Sequence, residues 1–344
     1  MPHPLVSVII LNYNGERFLP ALLTSLSKTT YPNLETIIVD NASTDNSVVY
    51  LKSNHPHLKL ILSEQNLGYT GGNNVGIRES SGQYVVLLNN DVEVAPDWLD
   101  RLVETAEADD HIGALQPKLQ SMINKGYFEY AGASGGFIDK WGFPFLRGRI
   151  FDTIERDNGQ YDDVREIFWA SGAALFLRRK SLDESGLLDE TFFMHFEEID
   201  LCWRLHHLGY SVKVVPQSVV YHYVSASLPA ANYRKLYWNH RNNLLLLIKN
   251  LSRNRLLTVV FWRMTLDGVA GFQGLLTGQP QRIVAVLHAH WWIYTNLKTI
   301  RRLRREVRSL RRNSREEYLH LIYSGSIVVD YFLKRKREFN TLGF

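Results

Sequence analysis

The sequence predicts an α/β fold, with an open, mostly parallel sheet flanked by helices and a helical region at the C-terminus. Short apolar runs alternate with helical patterns through the first third of the chain, as expected of repeated strand–helix units. Asn and Asp residues stand at the ends of several of these runs. Because ligands of open α/β sheets bind at the carboxyl ends of the strands, these polar residues are candidates for a binding site.

Four apolar runs near the N-terminus are predicted to be strands. They are VSVIIL (6–11), LETIIVD (34–40), LKLILS (58–63) and YVVLLNND (84–91). The first run is continuous and β-branched, which is typical of a parallel strand buried on both faces. Residues 16–28 are predicted to form a helix, because their apolar residues fall on one helical face. Ser43 or Thr44 is predicted to cap a short helix after the second strand.

The rest of the chain is predicted to be more varied. The Gly- and Asn-rich segment NLGYTGGNNVG (66–76) is interpreted as a loop that allows close approach of the backbone to a ligand. The other predicted elements are mixed or antiparallel strands over 126–178, a strand leading into a helix over 168–179, a helix over 197–208, one or two strands over 210–222, and helices beyond about residue 230.

Length and cysteine usage limit the class of protein. A chain of 344 residues fits one large domain with an appendage. Cys202 is the only cysteine, which excludes an intrachain disulfide and a Cys-based zinc site and suits a reducing compartment. The N-terminal segment MPHPLVSVIILNYNGERF lacks the basic region and cleavage site of a signal peptide, so none is expected.

Charge is distributed unevenly along the chain. Residues 251–344 carry 17 Lys and Arg against 6 Asp and Glu, whereas residues 1–250 carry 22 against 29. A basic tail on an acidic body indicates an anionic partner, either a membrane surface or nucleic acid. No nucleic-acid-binding motif accompanies the charge, so nucleic acid is not the expected partner.

The basic tail follows an apolar, aromatic segment. Its uncharged stretch IVAVLHAHWWIYTNL has 15 residues, too few to span a bilayer. Residues 298–315 then contain nine basic residues and one acidic residue. An apolar helix beside a polybasic one predicts an interfacial anchor on anionic lipid. The alternative is a packed helical subdomain with a solvated basic face.

A cluster of carboxylates stands in FMHFEEIDLCWRL (193–205), where Glu197, Glu198 and Asp200 lie among apolar side chains. Such carboxylates are costly unless they are paired, bind metal, or have their pKa tuned for chemistry. A structural interpretation is a helix start, with Asp200 and Arg204 as an i,i+4 ion pair. A catalytic interpretation is equally open on this segment alone.

Two aspartates follow predicted strands. Asp40 could accept a hydrogen bond from a base imide while Tyr13 stacks on the ring, or it could merely cap the next helix. Asp91 could hold a divalent cation against a diphosphate, or it could form an Asx turn.

Six segments together resemble the inverting family-two glycosyltransferases, which have the GT-A fold. They are VSVIILNYN (6–14), IIVDNASTD (37–45), NLGYTGGNNVGI (66–77), LLNNDVEV (87–94), SGAALFLRR (171–179) and FEEIDLCWRLHHLGY (196–210). The resemblance covers about residues 4–245. Within the family, the sequence is similar to rhamnosyltransferases and bacterial galactofuranosyltransferases. The latter share the acidic pair before a helix, a following His, and a stretch like YWNHRNN (237–243).

The resemblance implies roles for individual residues. Glu198 would be the general base and Glu197 a substrate contact. Asp91 would be the last aspartate of the family's DxD motif, and His222 would complete a site for Mg²⁺ or Mn²⁺. The sequence departs from that motif at position 89, which leaves metal dependence open. The residues expected to bind the nucleotide sugar are Asn12, Tyr13, Asn14, Asp40, Asn66, Asn89, Asn90 and Asp91.

The implied function is inverting transfer of a sugar, with rhamnose as the first candidate, from a dTDP- or UDP-sugar to a lipid-linked or polysaccharide acceptor. Residues 1–245 would form the GT-A domain, and residues 246–344 a basic helical region on the cytoplasmic face of a membrane. A nucleotidyltransferase is disfavoured because the turn NYNGER lacks a Gly-rich basic phosphate loop, and a dehydrogenase because no GxGxxG follows the first strand. A non-catalytic sugar-nucleotide or carbohydrate-binding protein would not need Glu198.

Overall fold

The structure is a computed structural model that describes residues 3–223, 232–312 and 317–344. The strands, in chain order, are β1 Val6–Asn12, β2 Leu34–Asp40, β3 Lys59–Leu62, β4 Tyr84–Asn89, β5 Val92–Val94, β6 Ile112–Ser121, β7 Gly136–Asp139, β8 Pro144–Leu146, β9 Arg149–Ile150, β10 Thr153–Ile154, β11 Arg165–Glu166, β12 Ala174–Arg178, β13 Ser211–His222 and β14 Ile322–Tyr323. The helices are α1 Leu19–Leu26, α2 Ser47–Asn54, α3 Gly68–Arg78, α4 Trp98–Glu107, α5 Arg179–Ser185, α6 Glu197–Leu208, α7 Tyr233–Asn250, α8 Arg253–Leu276, α9 Gln281–Thr295, α10 Leu297–Leu310 and α11 Ile327–Phe332. The predicted α/β class, with a helical C-terminal region, is confirmed.

The central sheet carries the N-terminal strands. Within the described residues the sheet has nine strands. Eight follow the order β11–β13–β6–β12–β4–β1–β2–β3, and β5 pairs with β13. Strands β4, β1, β2 and β3 are parallel, whereas β12 is antiparallel to β4 and β6. The carboxyl ends of β1, β2 and β4 therefore meet at one edge of the sheet.

Each face of this sheet is covered by a buried core. Ile9 of β1 packs in one core with Ile77 of α3. Its neighbours Val8 and Ile10 pack in the other core with Leu22 of α1. Because successive side chains of a strand point to opposite faces, a strand covered on both sides must be apolar throughout. This explains the unbroken run VSVIIL.

The predicted strands and the helix at 197–208 lie close to their expected positions, but two local predictions are wrong. Ser43 and Thr44 do not cap a helix, because α2 begins at Ser47 and Ser43 Oγ accepts the backbone N–H of Asn14 at 2.9 Å. The glycine-rich segment 66–76 is not a loop, because most of it belongs to α3.

Glycine serves packing in α3. A Cβ on Gly72 would lie 2.3 Å from Leu11 Cδ1, and a Cβ on Gly76 would lie 2.4 Å from Ile9 Cγ2. Since no such contact is tolerated, only glycine lets this helix lie directly on β1. The helix is thereby held beside the carboxyl ends of β1 and β2.

The C-terminal segment packs against the rest of the chain. Strand β14 pairs in parallel with β7 in a second sheet, of order β10–β9–β8–β7–β14 in the described part of the chain. Asp139 at the end of β7 accepts the backbone N–H of Ile327, the first residue of α11, at 2.9 Å. The predicted boundary after residue 245 falls within α7 and stays a prediction.

Helices α8 and α9 form a hairpin that packs on α7. In the three described ranges, no helix is both long and apolar enough to cross a bilayer. The polybasic helix predicted over 298–315 corresponds to α10, and residues 313–315 of that run lie outside the described residues.

Candidate active site

The ends of β1, β2 and β4 carry a network of amides and one carboxylate. Parallel pairing aligns Asn12 with Asp40. The Asn12 amide donates to Asp40 Oδ2 at 3.0 Å and accepts from Asn90 Nδ2 at 2.9 Å. All three residues were predicted from sequence to bind the donor, and their side chains touch. The network therefore joins three strand ends into one polar surface.

Asp40 is nearly inaccessible, at 2% exposure. Its second oxygen, Oδ1, accepts the backbone N–H of Ser43 at 3.0 Å. Asp40 thus orders the turn after β2, but it caps no helix, so the alternative of a helix cap is wrong. Tyr13, by contrast, is 49% exposed and its ring is free to stack on a planar ligand.

The predicted residues Asn14 and Asn66 stabilise the two loops beside this network. Asn14 Oδ1 accepts the backbone N–H of Thr44 at 2.8 Å. Asn66 Oδ1 accepts from the side chain of Asn41 at 3.1 Å and from the backbone of Gly68 at 2.8 Å. Asn41 was not predicted, although it follows Asp40 directly in the motif IIVDNASTD. Its buried amide connects the end of β2 to the start of α3.

His222 lies between two carboxylates. Antiparallel pairing of β13 with β5 brings His222 Nε2 to 3.0 Å from Asp91 Oδ1 and 3.5 Å from Asn89 Nδ2. His222 Nδ1 lies 3.2 Å from Oε1 of the fully buried Glu129. Burial lowers the pKa of His222, but Glu129 and Asp91 outweigh it and raise this pKa to about 10.

The two predicted metal ligands, Asp91 and His222, are therefore adjacent. No set of three or more His, Cys, Asp and Glu side chains in the described ranges could hold a metal alone. With its raised pKa, His222 is protonated in the metal-free protein, so a cation would have to displace one imidazole proton. Asp91 and His222 could then hold a divalent cation that takes its remaining ligands from a substrate, because such cations bind few protein groups and several phosphate oxygens. Glu129 has the position of the outer carboxylate that orients a metal-bound His. No feature of the sequence indicated Glu129.

The acidic pair begins α6. Glu197 and Glu198 are the first two residues of the helix, as acidic residues in a first turn should be. Glu197 is 4% exposed, whereas Glu198 is half-buried, and each has a buried oxygen, Oε2, without a hydrogen-bond partner among the described residues. Glu198 is thus the more accessible of the two carboxylates.

Both carboxyls are perturbed by their surroundings. Burial raises the pKa of Glu198 to about 7. Burial first, and then the charge of Glu198, raises the pKa of Glu197 well above its ordinary value. Glu198 therefore ionises in the neutral pH range, whereas its surroundings oppose ionisation of Glu197 more strongly. A carboxylate that is half ionised at neutral pH suits general-base chemistry.

Asp200 has the structural role predicted for it. It is fully buried and accepts Arg204 Nε at 2.9 Å, which confirms the predicted i,i+4 pair. Lys249 Nζ lies 2.8 Å from the same oxygen, and Asn250 Nδ2 donates to the other at 2.8 Å. These contacts link α6 to the end of α7 and leave no free oxygen for a substrate.

Helix α3 connects the polar network to the acidic pair. Its first residues contact Asn41 and Asn66, and the backbone N–H of Thr70 donates to Phe193 O at 3.2 Å. Burial, followed by the charges of Glu197 and Glu198, raises the pKa of Tyr69 on the same helix. One helix therefore contacts both the polar network and the loop that leads into the acidic pair.

Comparison with known proteins gives a consistent result. The family model described as Glycosyl transferase family 2 matches residues 7–184, a range that contains the polar network and ends before Glu197. The chain is 30% identical over 247 residues to the O-antigen biosynthesis protein RfbC of Myxococcus xanthus, covering 69% of this chain but 19% of that protein. It is 27% identical over 252 residues to N-acetylglucosaminyl-diphospho-decaprenol L-rhamnosyltransferase of Mycobacterium tuberculosis, covering 67% of this chain and 82% of that protein. It spans 47% of an uncharacterized glycosyltransferase of Haemophilus influenzae.

Solved structures share the architecture. Staphylococcus aureus TarS 1-349 in complex with UDP superposes with a TM-score of 0.54 at 17% identity, over 92% of this chain and 91% of that chain. The mannosyltransferase PcManGT of Pyrobaculum calidifontis, in complex with GDP-Man and Mn²⁺, superposes with a TM-score of 0.50 at 16% identity, over 90% and 86%. At these identities the likeness concerns the fold, and the predicted GT-A type is confirmed.

Proposed function

Because this chain belongs to glycosyl transferase family 2, with over half of its length matched, we propose that it transfers a hexose, with inversion, from a nucleoside-diphosphate sugar to an acceptor hydroxyl. The observation that carries this proposal is one sheet edge on which Asp40, Asn12 and Asn90 are bonded together. The adjacent pair of Asp91 and His222 continues that edge toward where a diphosphate would lie.

The nucleoside would bind at the ends of β1 and β2. Tyr13 is exposed and can stack on the base, and Asp40 has the charge to accept a base imide. Asn14 and Asn66 hold the two flanking loops through their Oδ1 atoms, and their exposed side chains would also border the donor. A dTDP- or UDP-sugar is the donor class we propose, because such an imide is present in thymine and uracil.

A bound Mg²⁺ or Mn²⁺ would neutralise diphosphate charge as the leaving group departs. Asp91 and His222 would hold this cation. Asn89 contributes a neutral amide where an aspartate would add charge, so we expect the protein itself to hold a cation weakly and the donor complex to hold it well.

Glu198 would remove the proton of the acceptor hydroxyl. As the acceptor oxygen bonds to the anomeric carbon, its proton passes to the Glu198 carboxylate. The bond from that carbon to the diphosphate oxygen breaks with its electron pair, on the opposite face, and this inverts the centre. Glu197, which is more deeply buried, would contact the substrate.

The acceptor proposal is supported by relatives. One is named for rhamnosyl transfer to a diphospho-decaprenol and another for O-antigen biosynthesis. We therefore propose a lipid-linked or polysaccharide acceptor, with rhamnose as the first sugar to test.

Donor binding is tested by thermal unfolding with a panel of nucleoside-diphosphate sugars and Mg²⁺ or Mn²⁺. A donor at a hundred times its Kd should stabilise the protein by about 2.7 kcal/mol. Asp40→Ala should lose this stabilisation, whereas Asp183→Ala, an exposed change on α5, should retain it. If no sugar nucleotide raises the melting temperature, the donor site is wrong. Binding without transfer or hydrolysis would indicate a non-catalytic protein.

We further propose that residues 246–344 bind the cytoplasmic face of an anionic membrane through the α8–α9 hairpin. Between residues 256 and 297, all described, the charged residues are Arg263, Asp267 and Arg282. Arg263 and Asp267 are buried against each other, with Nη2 and Oδ1 2.9 Å apart, and Arg282 is half-buried. The exposed side chains of the hairpin are consequently almost all uncharged.

Large apolar residues occupy this exposed surface. They are Leu257, Phe261, Trp262, Val269, Phe272, Leu275, Leu276, Val284, Leu287, Trp291 and Tyr294. Leu257 is 81% exposed and Trp291 68%, which is unfavourable in water over so wide a surface. Helix α10 follows directly with Arg301, Arg305 and Arg308 exposed on one side. Apolar and basic surfaces in sequence suit the interface of an anionic bilayer.

Arg304 has a different role from its neighbours. Its Nη1 donates to Ile248 O. Arg304 therefore connects α10 to α7, and its guanidinium does not project into solvent. The membrane test therefore uses Arg301, Arg305 and Arg308, changed together to Gln. Each headgroup contact is worth about 1 kcal/mol, so binding should fall by about a hundredfold.

The wild-type protein should sediment with anionic vesicles at low salt and be released as salt rises, since screening acts over about 10 Å at 0.1 M. Changing Lys28, Lys52 and Arg101 to Gln removes the same charge from the opposite end of the chain and should leave sedimentation unchanged. The double variant Phe272→Glu, Leu276→Glu should abolish sedimentation with the vesicles, because it places two carboxylates on the exposed apolar surface. A wild-type protein that remains in the supernatant would leave a packed helical subdomain as the correct interpretation.

A further inference from the structure

The loop that leads into the acidic pair has an unusual backbone. Phe193, His195 and Phe196 have φ values of 64°, 68° and 73°, in the left-handed region that residues with side chains rarely adopt. Glu197 and Glu198 follow immediately. Such strain persists only where the surroundings impose it, and it concentrates at functional sites.

One side chain of α7 contacts this loop at three points. Asn242 Nδ2 donates to Phe192 O at 3.0 Å, to Met194 O at 2.8 Å and to His195 O at 2.8 Å. Asn242 is fully buried, and its Oδ1 has no hydrogen-bond partner among the described residues. The amide group is thus oriented so that its nitrogen donates to the loop carbonyls, while its oxygen is left without a hydrogen bond.

We infer that Asn242 is a positioning residue that holds loop 192–196 in its strained conformation and so fixes where Glu198 meets the acceptor hydroxyl. The catalytic part of this inference rests on the proposed function. The carbonyls of Met194 and His195 face the protein interior, where the amide supplies their donor. Without it, these carbonyls would turn toward other donors or water, because buried unpaired carbonyls are costly. The residues with positive φ would relax, and the start of α6 would shift.

The neighbouring Asn243 provides a matched control. It lies on the same helix, is equally buried, and its Nδ2 donates to Gly142 O at 2.8 Å, away from the loop. Asn242→Ala and Asn243→Ala remove the same atoms from the same helix. A merely structural role would give both variants the same properties.

The experiment combines hydrogen exchange with kinetics on the full-length protein. In Asn242→Ala, the backbone amides of residues 192–200 should exchange faster than in the wild type. The kcat for transfer should fall by about a hundredfold, which is the effect of displacing a catalytic group by about 1 Å. KM for the donor should stay within about twofold, because the donor network lies on other elements. Asn243→Ala should leave both the exchange of 192–200 and kcat near wild-type values.

Unchanged exchange of residues 192–200 in Asn242→Ala overturns the inference, as does faster exchange with an unchanged kcat. An equal loss of kcat in Asn243→Ala also overturns it, because the effect would then be general. If the wild type transfers no sugar, the proposed function fails, while the exchange data still decide whether Asn242 holds the loop. Should Asn242→Ala not fold, Asn242→Ser, which keeps one donor, is measured in the same way and should give smaller changes in the same direction.

Discussion

Glu198→Gln is expected to reduce kcat for transfer by about 10²- to 10⁴-fold, the usual contribution of a general base. The amide preserves the shape of the side chain but cannot take the acceptor proton. The donor Kd, measured by titration with the nucleoside diphosphate, should stay within about twofold, because the predicted donor contacts lie on β1, β2 and β4. The combination of lost turnover and retained binding distinguishes a base from a binding residue.

The pH dependence of kcat provides an independent check. Burial raises the pKa of Glu198 to about 7, so the carboxyl is protonated and inactive below that pH. The wild-type kcat should therefore rise with pH and level off above about 7, and the residual rate of Glu198→Gln should lack this rise.

Glu190→Gln is the control for this variant. Glu190 precedes the same loop but is exposed, with Oε1 3.4 Å from Arg78 Nη2, and its replacement should leave kcat nearly unchanged. Near-normal turnover in Glu198→Gln would reject the base assignment and make Glu197 the next candidate.

Asp200→Ala is expected to lower the free energy of unfolding by about 3–5 kcal/mol, the effect of breaking a buried ion pair. Arg204 and Lys249, both at most 5% exposed, would lose their shared carboxylate. Arg204 would keep its bonds to Ser185 O, Gly186 O and Leu187 O, and Lys249 its contact with Asp189. Two positive charges would then share one carboxylate, which leaves one buried positive charge without a counter-charge. Equilibrium unfolding in urea measures the change.

Glu79→Ala is the matched comparison. Glu79 forms an ion pair with Lys59 in which both side chains are about half exposed, and such pairs contribute at most about 1 kcal/mol. An Asp200→Ala effect no larger than that of Glu79→Ala would show that the buried cluster does not stabilise the fold. Asp200 would then need another role.

The strand ends were predictable because the signals are local. A run such as LETIIVD contains both the burial pattern of a strand and the carboxylate at its end, and β2 has the predicted bounds. The helix start at Glu197 and the Asp200–Arg204 pair were predictable for the same reason, since residues four apart on a helix are neighbours. The grouping of Asn12, Asp40 and Asn90 followed from the geometry of parallel strands.

The glycine-rich segment shows where local signals mislead. Glycine is a poor helix former, and several glycines and asparagines in succession predict a loop. In α3 the requirement for close packing on β1 outweighs that propensity. This need for close packing arises from the neighbouring strand β1, so it cannot be recognised from the sequence of the segment alone.

By itself, the sequence determined the α/β class, the strands that carry the polar edge, and the carboxylates available for chemistry. Only the tertiary structure decided that Glu129 lies behind His222 and that Asn242 donates to the loop before Glu198. It also decided that Asp200 bonds to Lys249 and Asn250 of α7 as well as to Arg204. It also revealed that Arg304 fastens α10 to Ile248. The physical reason is the sequence distance over which each signal acts. Hydrophobic periodicity and helix spacing relate residues only a few positions apart. A buried carbonyl or charge, in contrast, takes its partner from whichever distant segment the packing brings within 3 Å.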